Sequence, residues 1–61
     1  MNFPLYTIYY ILNSNEELSQ DYFYTTRAAR NFLWDNRNKI HDITIYLFGS
    51  MIEISEKDLR D

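Results

Sequence analysis

Hydrophobic residues occur along this chain in four short runs that are typical of strands and in one segment with a helical period. In residues 25–41 the apolar positions are spaced three and four apart, as in an amphipathic helix. This pattern predicts a helix over about residues 26–38. Thr25 or Thr26 is the expected N-cap, because a threonine hydroxyl accepts a hydrogen bond from a backbone N–H of the first turn.

Helical spacing divides this segment into two faces. The face that we expect to be buried contains Ala28, Ala29, Phe32, Leu33, Asn36 and Ile40. The opposite face contains Arg27, Arg30, Trp34, Arg37 and His41. Lys39 and His41 match the helix macrodipole at the predicted C-terminal end, whereas the arginines at the start oppose it. The early arginines therefore suggest a role other than helix stability.

The four strand-like runs cover about residues 3–12, 21–25, 42–48 and 51–55 and are rich in β-branched and aromatic residues. Both alternating faces of the first run are apolar, which indicates a central strand with something on each side. A polar, turn-prone stretch at 13–20 separates the first two runs and favours a hairpin with a long loop. Its register stays open.

Gly49-Ser50 predicts a type II′ hairpin turn between the last two strands, because the first loop position of that turn needs a positive φ. The facing pairs are then Phe48 with Met51, Leu47 with Ile52, Tyr46 with Glu53, and Ile45 with Ile54. One face of this hairpin would hold Ile43, Ile45, Leu47, Ile52 and Ile54. The other would hold Thr44, Tyr46, Phe48, Met51 and Glu53.

These elements predict an α+β fold in a single domain, residues 1–61, with the order β-β-α-β-β. The sheet is expected to be four-stranded and mainly antiparallel, with the helix packed on one face. A chain of this order resembles the β-grasp arrangement, in which the first strand is central. The charged tail, residues 56–61, is expected to add a short turn or to fray.

The length and composition of the chain indicate that the fold needs extra stabilisation. A chain of 61 residues hides only about 60% of the surface that its unfolded form exposes. Hydrophobic residues are 46% of the chain and aromatic residues 18%, and no cysteine is present to form a disulfide or a thiolate zinc site. A well-packed core, a homodimer or a tight partner is therefore expected to compensate.

The charges are unevenly distributed. Residues 27–41 carry four basic residues against one acidic residue, a net charge of +3, whereas the remainder has two against eight, a net charge of −6. This predicts a basic helix face on an acidic body. The apolar run at 3–12 is too short to span a membrane and lacks the features of a signal peptide, so we expect a soluble, cytoplasmic protein.

No catalytic, metal or cofactor motif stands out, and we expect a non-enzymatic protein without a cofactor. His41 beside Asp42 is interpreted as a charge-complementing residue at a helix end instead of a catalytic base. The acidic residues Glu16, Glu17 and Asp21 are interpreted as a solvated loop, because they lack the spacing of a calcium site.

Two surfaces are candidates for binding a partner. The first is the helix face with Arg27, Arg30, Trp34, Arg37 and His41, since arginine and tryptophan are enriched at binding hot spots. Its structural alternative is that Trp34 lies over arginine stems or under the tail. The second is the sheet face away from the helix, where Tyr46, Phe48 and Met51 join one set of the tyrosines of the first run. It suits a homodimer or another protein better than RNA, because these strands lack basic residues.

The predicted function is that of a small protein-binding module. Its size and its nineteen Asn, Ile and Tyr residues, all encoded by AT-rich codons, suggest a viral or mobile-element protein that inhibits a host factor or defence system. The alternative is a dimeric nucleic-acid-binding or antitoxin-like regulatory protein. We rank nucleic acid below protein as a partner, since a net charge of −3 predicts weak, salt-sensitive binding.

Overall fold

The computed structural model describes residues 3–59, which form one sheet with a helix across one face. The elements are β1 (Tyr6–Leu12), β2 (Leu18–Phe23), α1 (Thr26–Asn36), β3 (Ile40–Leu47), β4 (Glu53–Ile54) and a 3-10 turn (Glu56–Asp58). The sheet order is β2-β1-β3-β4, and each neighbouring pair is antiparallel. The predicted α+β class and the central first strand are confirmed.

Strand β2 begins earlier than predicted, at Leu18 instead of residue 21, and ends at Phe23. The backbone N–H of Leu12 donates to the carbonyl of Glu17 at 3.0 Å, so only a tight loop separates the two strands. Ladder hydrogen bonds use backbone groups, so the polar side chains of residues 19–21 do not prevent pairing along a sheet edge. The register, which places Tyr6 opposite Phe23, was not available from the sequence.

The hydroxyls of two threonines form hydrogen bonds at the start of helix α1. The Thr25 hydroxyl accepts a hydrogen bond from the Ala28 N–H at 3.0 Å, which confirms Thr25 as the N-cap. The Thr26 hydroxyl lies 3.1 Å from the Tyr6 hydroxyl and ties the start of α1 to β1. The helix ends at Asn36, two residues before the predicted end, and the Asn36 side chain donates to the Phe32 carbonyl at 2.8 Å. Asparagine side chains that bond the backbone in this way favour helix termination.

The core lies between the sheet and α1, which packs over β1 and β2. Its buried hydrophobic residues are Ile8, Tyr10, Ala29, Leu33, Ile40, Ile45 and Leu59. From the face predicted to be buried, Ala29 and Leu33 are buried and Phe32 and Asn36 half-buried, whereas Ala28 is exposed. The buried stripe is therefore narrower than predicted.

The segment after β4 forms a short turn, one of the two predictions for the tail, and its last described residue belongs to the core. Leu59 is buried, with 2% of its surface exposed, and the 3-10 turn before it brings it back against the other core residues. The Ser55 hydroxyl donates to Asp58 at 3.0 Å within this turn. One apolar residue in a charged tail was too weak a pattern to predict this packing. The prediction for residues 60–61 lies outside the described residues.

A β-bulge in β3 decides which of its side chains face the core. Tyr9 pairs with Thr44 and Ile11 pairs with His41, so β3 has one residue more than β1 in this interval. Asp42, within the bulge, has a φ of +52°. Without the extra residue, Ile40 and Ile45 would point to opposite faces, since they are five positions apart. The bulge allows both to be buried. Ile40, predicted to lie on the buried helix face, belongs to β3 because α1 ends at Asn36.

The β3–β4 hairpin keeps the predicted register but uses another turn. Ile45 faces Ile54 and Tyr46 faces Glu53, as expected from the position of Gly49. The Ser50 N–H donates to the Leu47 carbonyl at 3.1 Å, so Gly49 occupies the third position of the turn, with a φ of +76°. A positive φ at that position is what a type II turn requires, so the type II′ prediction was wrong.

Candidate functional site

Trp34 is the exposed aromatic side chain of helix α1. It is 66% exposed, and the guanidinium carbon of Arg37 lies 4.0 Å from the centre of its ring. Contact at this distance is a cation–π interaction, worth about 0.5–1 kcal/mol at an exposed site. The contact limits the motion of both side chains and keeps an apolar ring and a positive charge on one surface.

A groove of about 620 Å³ begins beside Trp34 and lies between α1 and the segment that ends at Leu59. It is lined by Arg27, Arg30, Asn31, Trp34, Glu56, Lys57 and Leu59. Three basic side chains against one acidic side chain make its lining positive. We call Arg27, Arg30, Trp34 and Arg37, together with this groove, the Arg–Trp surface.

Of the five predicted residues on this face, four belong to the Arg–Trp surface and His41 does not. Helix α1 stops at Asn36, the Lys39 N–H donates to the Asn36 carbonyl at 2.7 Å, and the chain enters β3. His41 therefore lies in β3, where its Nδ1 contacts Asn13 and its Nε2 lies 3.1 Å from Glu16. The prediction was wrong because it extended helical spacing beyond the end of the helix.

The structure also separates the acidic residues that we considered as a loop cluster. Glu16 contacts His41, whereas the Asp21 carboxylate accepts a hydrogen bond of 2.5 Å from the Tyr10 hydroxyl on the helix side of the sheet. The pKa of Tyr10 is raised to about 12. The hydrogen bond to Asp21 is the largest cause, and burial and the negative charge of Asp21 add to it. No group of three His, Cys, Asp or Glu residues within 3–59 is arranged to hold a metal ion.

The sheet face away from α1 forms the second candidate surface. Tyr46, Phe48 and Met51, predicted to lie there, share this face with Tyr9 and Tyr22. The rings of Tyr9 and Tyr46 are 5.8 Å apart, and those of Tyr22 and Phe48 are 5.6 Å apart, both edge to face. We call these five residues the aromatic face.

Tyr22 is the member of the aromatic face that sequence reasoning did not find. It reaches this face because β2 pairs with β1 so that Tyr22 lies opposite Thr7. Phe48, the first residue after β3, extends across β1 towards Tyr22, and Thr7, opposite Tyr22 in β1, is only 6% exposed. Period-two alternation within β2 would have shown that Tyr22 and Phe23 point to opposite faces, but only the register shows to which face each belongs.

The aromatic face surrounds a shallow groove of about 660 Å³. Leu18 and Met51, at the two margins, are 67% and 87% exposed. The polar residues of the lining are neutral, namely Thr7, Gln20, Thr44 and Ser50. Neither a basic nor an acidic residue lines this groove, so its chemistry differs from that of the Arg–Trp surface.

Compared with family models, with curated proteins and with solved structures, the chain matches none of them. Within residues 3–59, no helix has the length and apolar character that crossing a bilayer requires.

Proposed function

We propose that this protein is a non-enzymatic protein-binding module and that the Arg–Trp surface binds an acidic segment of its partner. One observation carries the proposal. Trp34, 66% exposed, is stacked with Arg37 at 4.0 Å beside a groove that contains three basic side chains. Tryptophan and arginine, together with tyrosine, are enriched among the residues that dominate protein–protein binding energy.

The stacked pair is suited to binding because it is already ordered. Immobilising a flexible side chain at an interface costs about 0.5–1.5 kcal/mol, and the cation–π contact reduces this cost before the partner arrives. When a partner covers the ring, the apolar area of Trp34 leaves water, which favours binding. The guanidinium of Arg37 then remains beside the ring to receive a carboxylate.

Charge determines the kind of partner. The groove is positive, although the whole chain has a net charge of −3. An acidic segment is attracted to this surface and repelled by the rest of the molecule, which orients the encounter. A partner segment with aspartate or glutamate next to an apolar side chain would satisfy both the basic groove and Trp34. Binding of this kind weakens as salt is added.

The inhibitor role expected from the sequence would follow from such binding if the acidic segment is part of a functional site of the partner protein. The Arg–Trp surface would then act by occlusion. This mode of action requires a stable contact and no chemistry on the partner.

Trp34 offers a direct test, because it is the only tryptophan of the chain. Peptides are selected from a random library on the immobilised protein, and their binding is then followed by tryptophan fluorescence. We expect selected sequences rich in Asp and Glu beside an apolar residue, a blue shift of Trp34 emission on binding, and an affinity that falls with added salt.

Two variants locate the site, with calorimetry as the readout where fluorescence is lost. Trp34→Ala and Arg30→Glu are each expected to weaken binding by at least about tenfold. Lys39→Glu is the matched control, because it makes the same change of charge at an exposed residue outside the groove. Equal losses in Arg30→Glu and Lys39→Glu would show a long-range charge effect and would contradict the proposed site.

Nucleic acid is the competing anionic partner. A gel-shift series with single- and double-stranded DNA at low ionic strength distinguishes the two. Binding to DNA that is lost in Trp34→Ala, together with no selection of acidic peptides, would overturn a protein partner and favour the nucleic-acid alternative.

A further inference from the structure

The aromatic face is the larger surface that the Arg–Trp proposal leaves without a role. All of the buried hydrophobic residues within 3–59 belong to the core cluster between the sheet and α1. On the aromatic face Tyr22 is 52%, Phe48 42% and Met51 87% exposed. Contiguous apolar surface of this kind on a soluble domain marks an interaction site.

We propose that the aromatic face binds a second copy of this chain, with the two sheets packed face to face. Charge distinguishes this surface from the other side of the molecule. Two Arg–Trp surfaces would repel each other, since each presents Arg27, Arg30 and Arg37. Two aromatic faces have neutral groove linings, and Glu53, which the register places on this face opposite Tyr46, lies on the edge strand β4 outside the groove. The grooves can therefore meet without opposing like charges.

The face has both a protruding side chain and an adjacent groove, the two parts that a reciprocal contact needs. Met51 protrudes from the β3–β4 turn at one margin, and the adjacent groove of about 660 Å³ has room for a methionine side chain. In a two-fold arrangement, Met51 of each copy enters the groove of the other, because the same residues contact each other reciprocally. Methionine is suited to this position, as its unbranched side chain adapts to irregular apolar surfaces.

The available area reaches the lower limit for a specific dimer. The exposed parts of Leu18, Tyr22, Phe48 and Met51 amount to on the order of 400 Å² in each copy, given about 150–250 Å² for a large side chain. The rest of the face, with Tyr9, Tyr46 and the small polar residues of the groove, brings a face-to-face pair to about 1,200 Å² in total. We therefore expect a micromolar dimer.

The dimer has a consequence for binding. Sheets packed face to face leave each α1 on an outer side of the pair, so two Arg–Trp surfaces point in opposite directions. The dimer itself does not depend on the proposed function, but its bivalency does. A bivalent protein would bind a repeated or oligomeric acidic partner more tightly than either surface alone.

Sedimentation equilibrium over a wide range of concentration tests the proposal on the full chain. The wild-type protein is expected to shift from 7.5 kDa to twice that mass as its concentration rises. Met51→Asp places a charge in each groove and should raise the dissociation constant of the dimer by at least about tenfold. Leu18→Asp provides a second variant at the opposite margin with the same expected effect.

Ile52→Asp is the matched control. Ile52 is the neighbour of Met51 in the chain, is 59% exposed and does not line the groove, so the same charge there should leave the dimer unchanged. Each variant residue is largely exposed, so folding should persist, as circular dichroism will verify. A chain that stays at 7.5 kDa at every concentration, or equal dissociation by Met51→Asp and Ile52→Asp, would overturn the proposal.

The outcome is separable from that of the proposed function. A monomer that still binds acidic peptides through Trp34 would refute the dimer alone. A dimer that selects no acidic peptide would refute the Arg–Trp site alone.

Discussion

Both faces of the sheet present large apolar side chains, but the described chain covers only one of them. Adjacent residues of β1 show the contrast. Ile8 points towards α1 and has no exposed surface, whereas Tyr9 points the other way and remains partly exposed. On the first face α1 and Leu59 exclude water, while on the second the aromatic rings contact each other and solvent.

The contrast arises from coverage and not from strand composition. An eleven-residue helix and one returning segment cover one face of the four-stranded sheet. The other described residues, within 3–59, form the strands and their loops and leave the second face open. Side chains that would be core in a larger domain are therefore left at the surface, where their burial can stabilise a complex instead of the fold.

The largest effect that this comparison predicts is on the free energy of unfolding. Leu33→Ala on the covered face should lower it by about 2–5 kcal/mol, because a buried side chain is lost and a cavity remains. Met51→Ala on the aromatic face should change the stability of the monomer by less than about 0.5 kcal/mol. Urea unfolding at low protein concentration, where dimers dissociate, measures both.

Two results would contradict this difference between the covered face and the aromatic face. If Met51→Ala were as destabilising as Leu33→Ala, the aromatic face would belong to the core of the monomer. If Leu33→Ala had no effect, α1 would not stabilise the sheet in the way that its burial indicates.

The next effect concerns the hydroxyl of Tyr10, which points to the covered face and donates to Asp21 at 2.5 Å. Tyr10→Phe should lower the free energy of unfolding by about 1–3 kcal/mol at neutral pH, because a partly buried hydrogen bond to a charged group is lost. Tyr9→Phe is the matched control, since Tyr9 is the adjacent residue on the aromatic face. It should change stability by less than about 0.5 kcal/mol.

The same hydrogen bond predicts a dependence on alkaline pH. Folding raises the pKa of Tyr10 from 10.0 to about 12, so the folded protein holds this proton more tightly than the unfolded chain. The associated stability is complete below about pH 10 and is lost as the pH rises towards about 12. Urea unfolding across this range should show a steeper loss for wild type than for Tyr10→Phe. Parallel curves would contradict the assignment to Tyr10.

The smallest effect concerns cohesion within the aromatic face. The edge-to-face rings of Tyr22 and Phe48 should show a coupling free energy of about 0.5–1.5 kcal/mol in a double-mutant cycle of alanine substitutions. The cycle is measured in the Met51→Asp background, so that dissociation of a dimer does not contribute. A coupling near zero would mean that the face is ordered only when it is covered.

Much of the fold was predictable from patterns within a few residues. The hydrophobic period located α1, the threonine before it identified the N-cap, and Gly49 set the facing pairs of the β3–β4 hairpin. These features depend on backbone preferences and on neighbours close in the chain. The Arg–Trp surface was predictable as far as Arg37 for the same reason, since helical spacing holds only while the helix lasts.

The sequence by itself thus determined the order of the elements, the central β1, the N-cap and the residues on the outer side of α1. The tertiary structure alone decided the register of β2, the bulge at Asp42 and the burial of Leu59. The physical reason is that these features are contacts between distant segments. Their free energy depends on which strand edges and apolar groups come into contact. A local pattern of hydrophobic and polar residues does not specify these contacts.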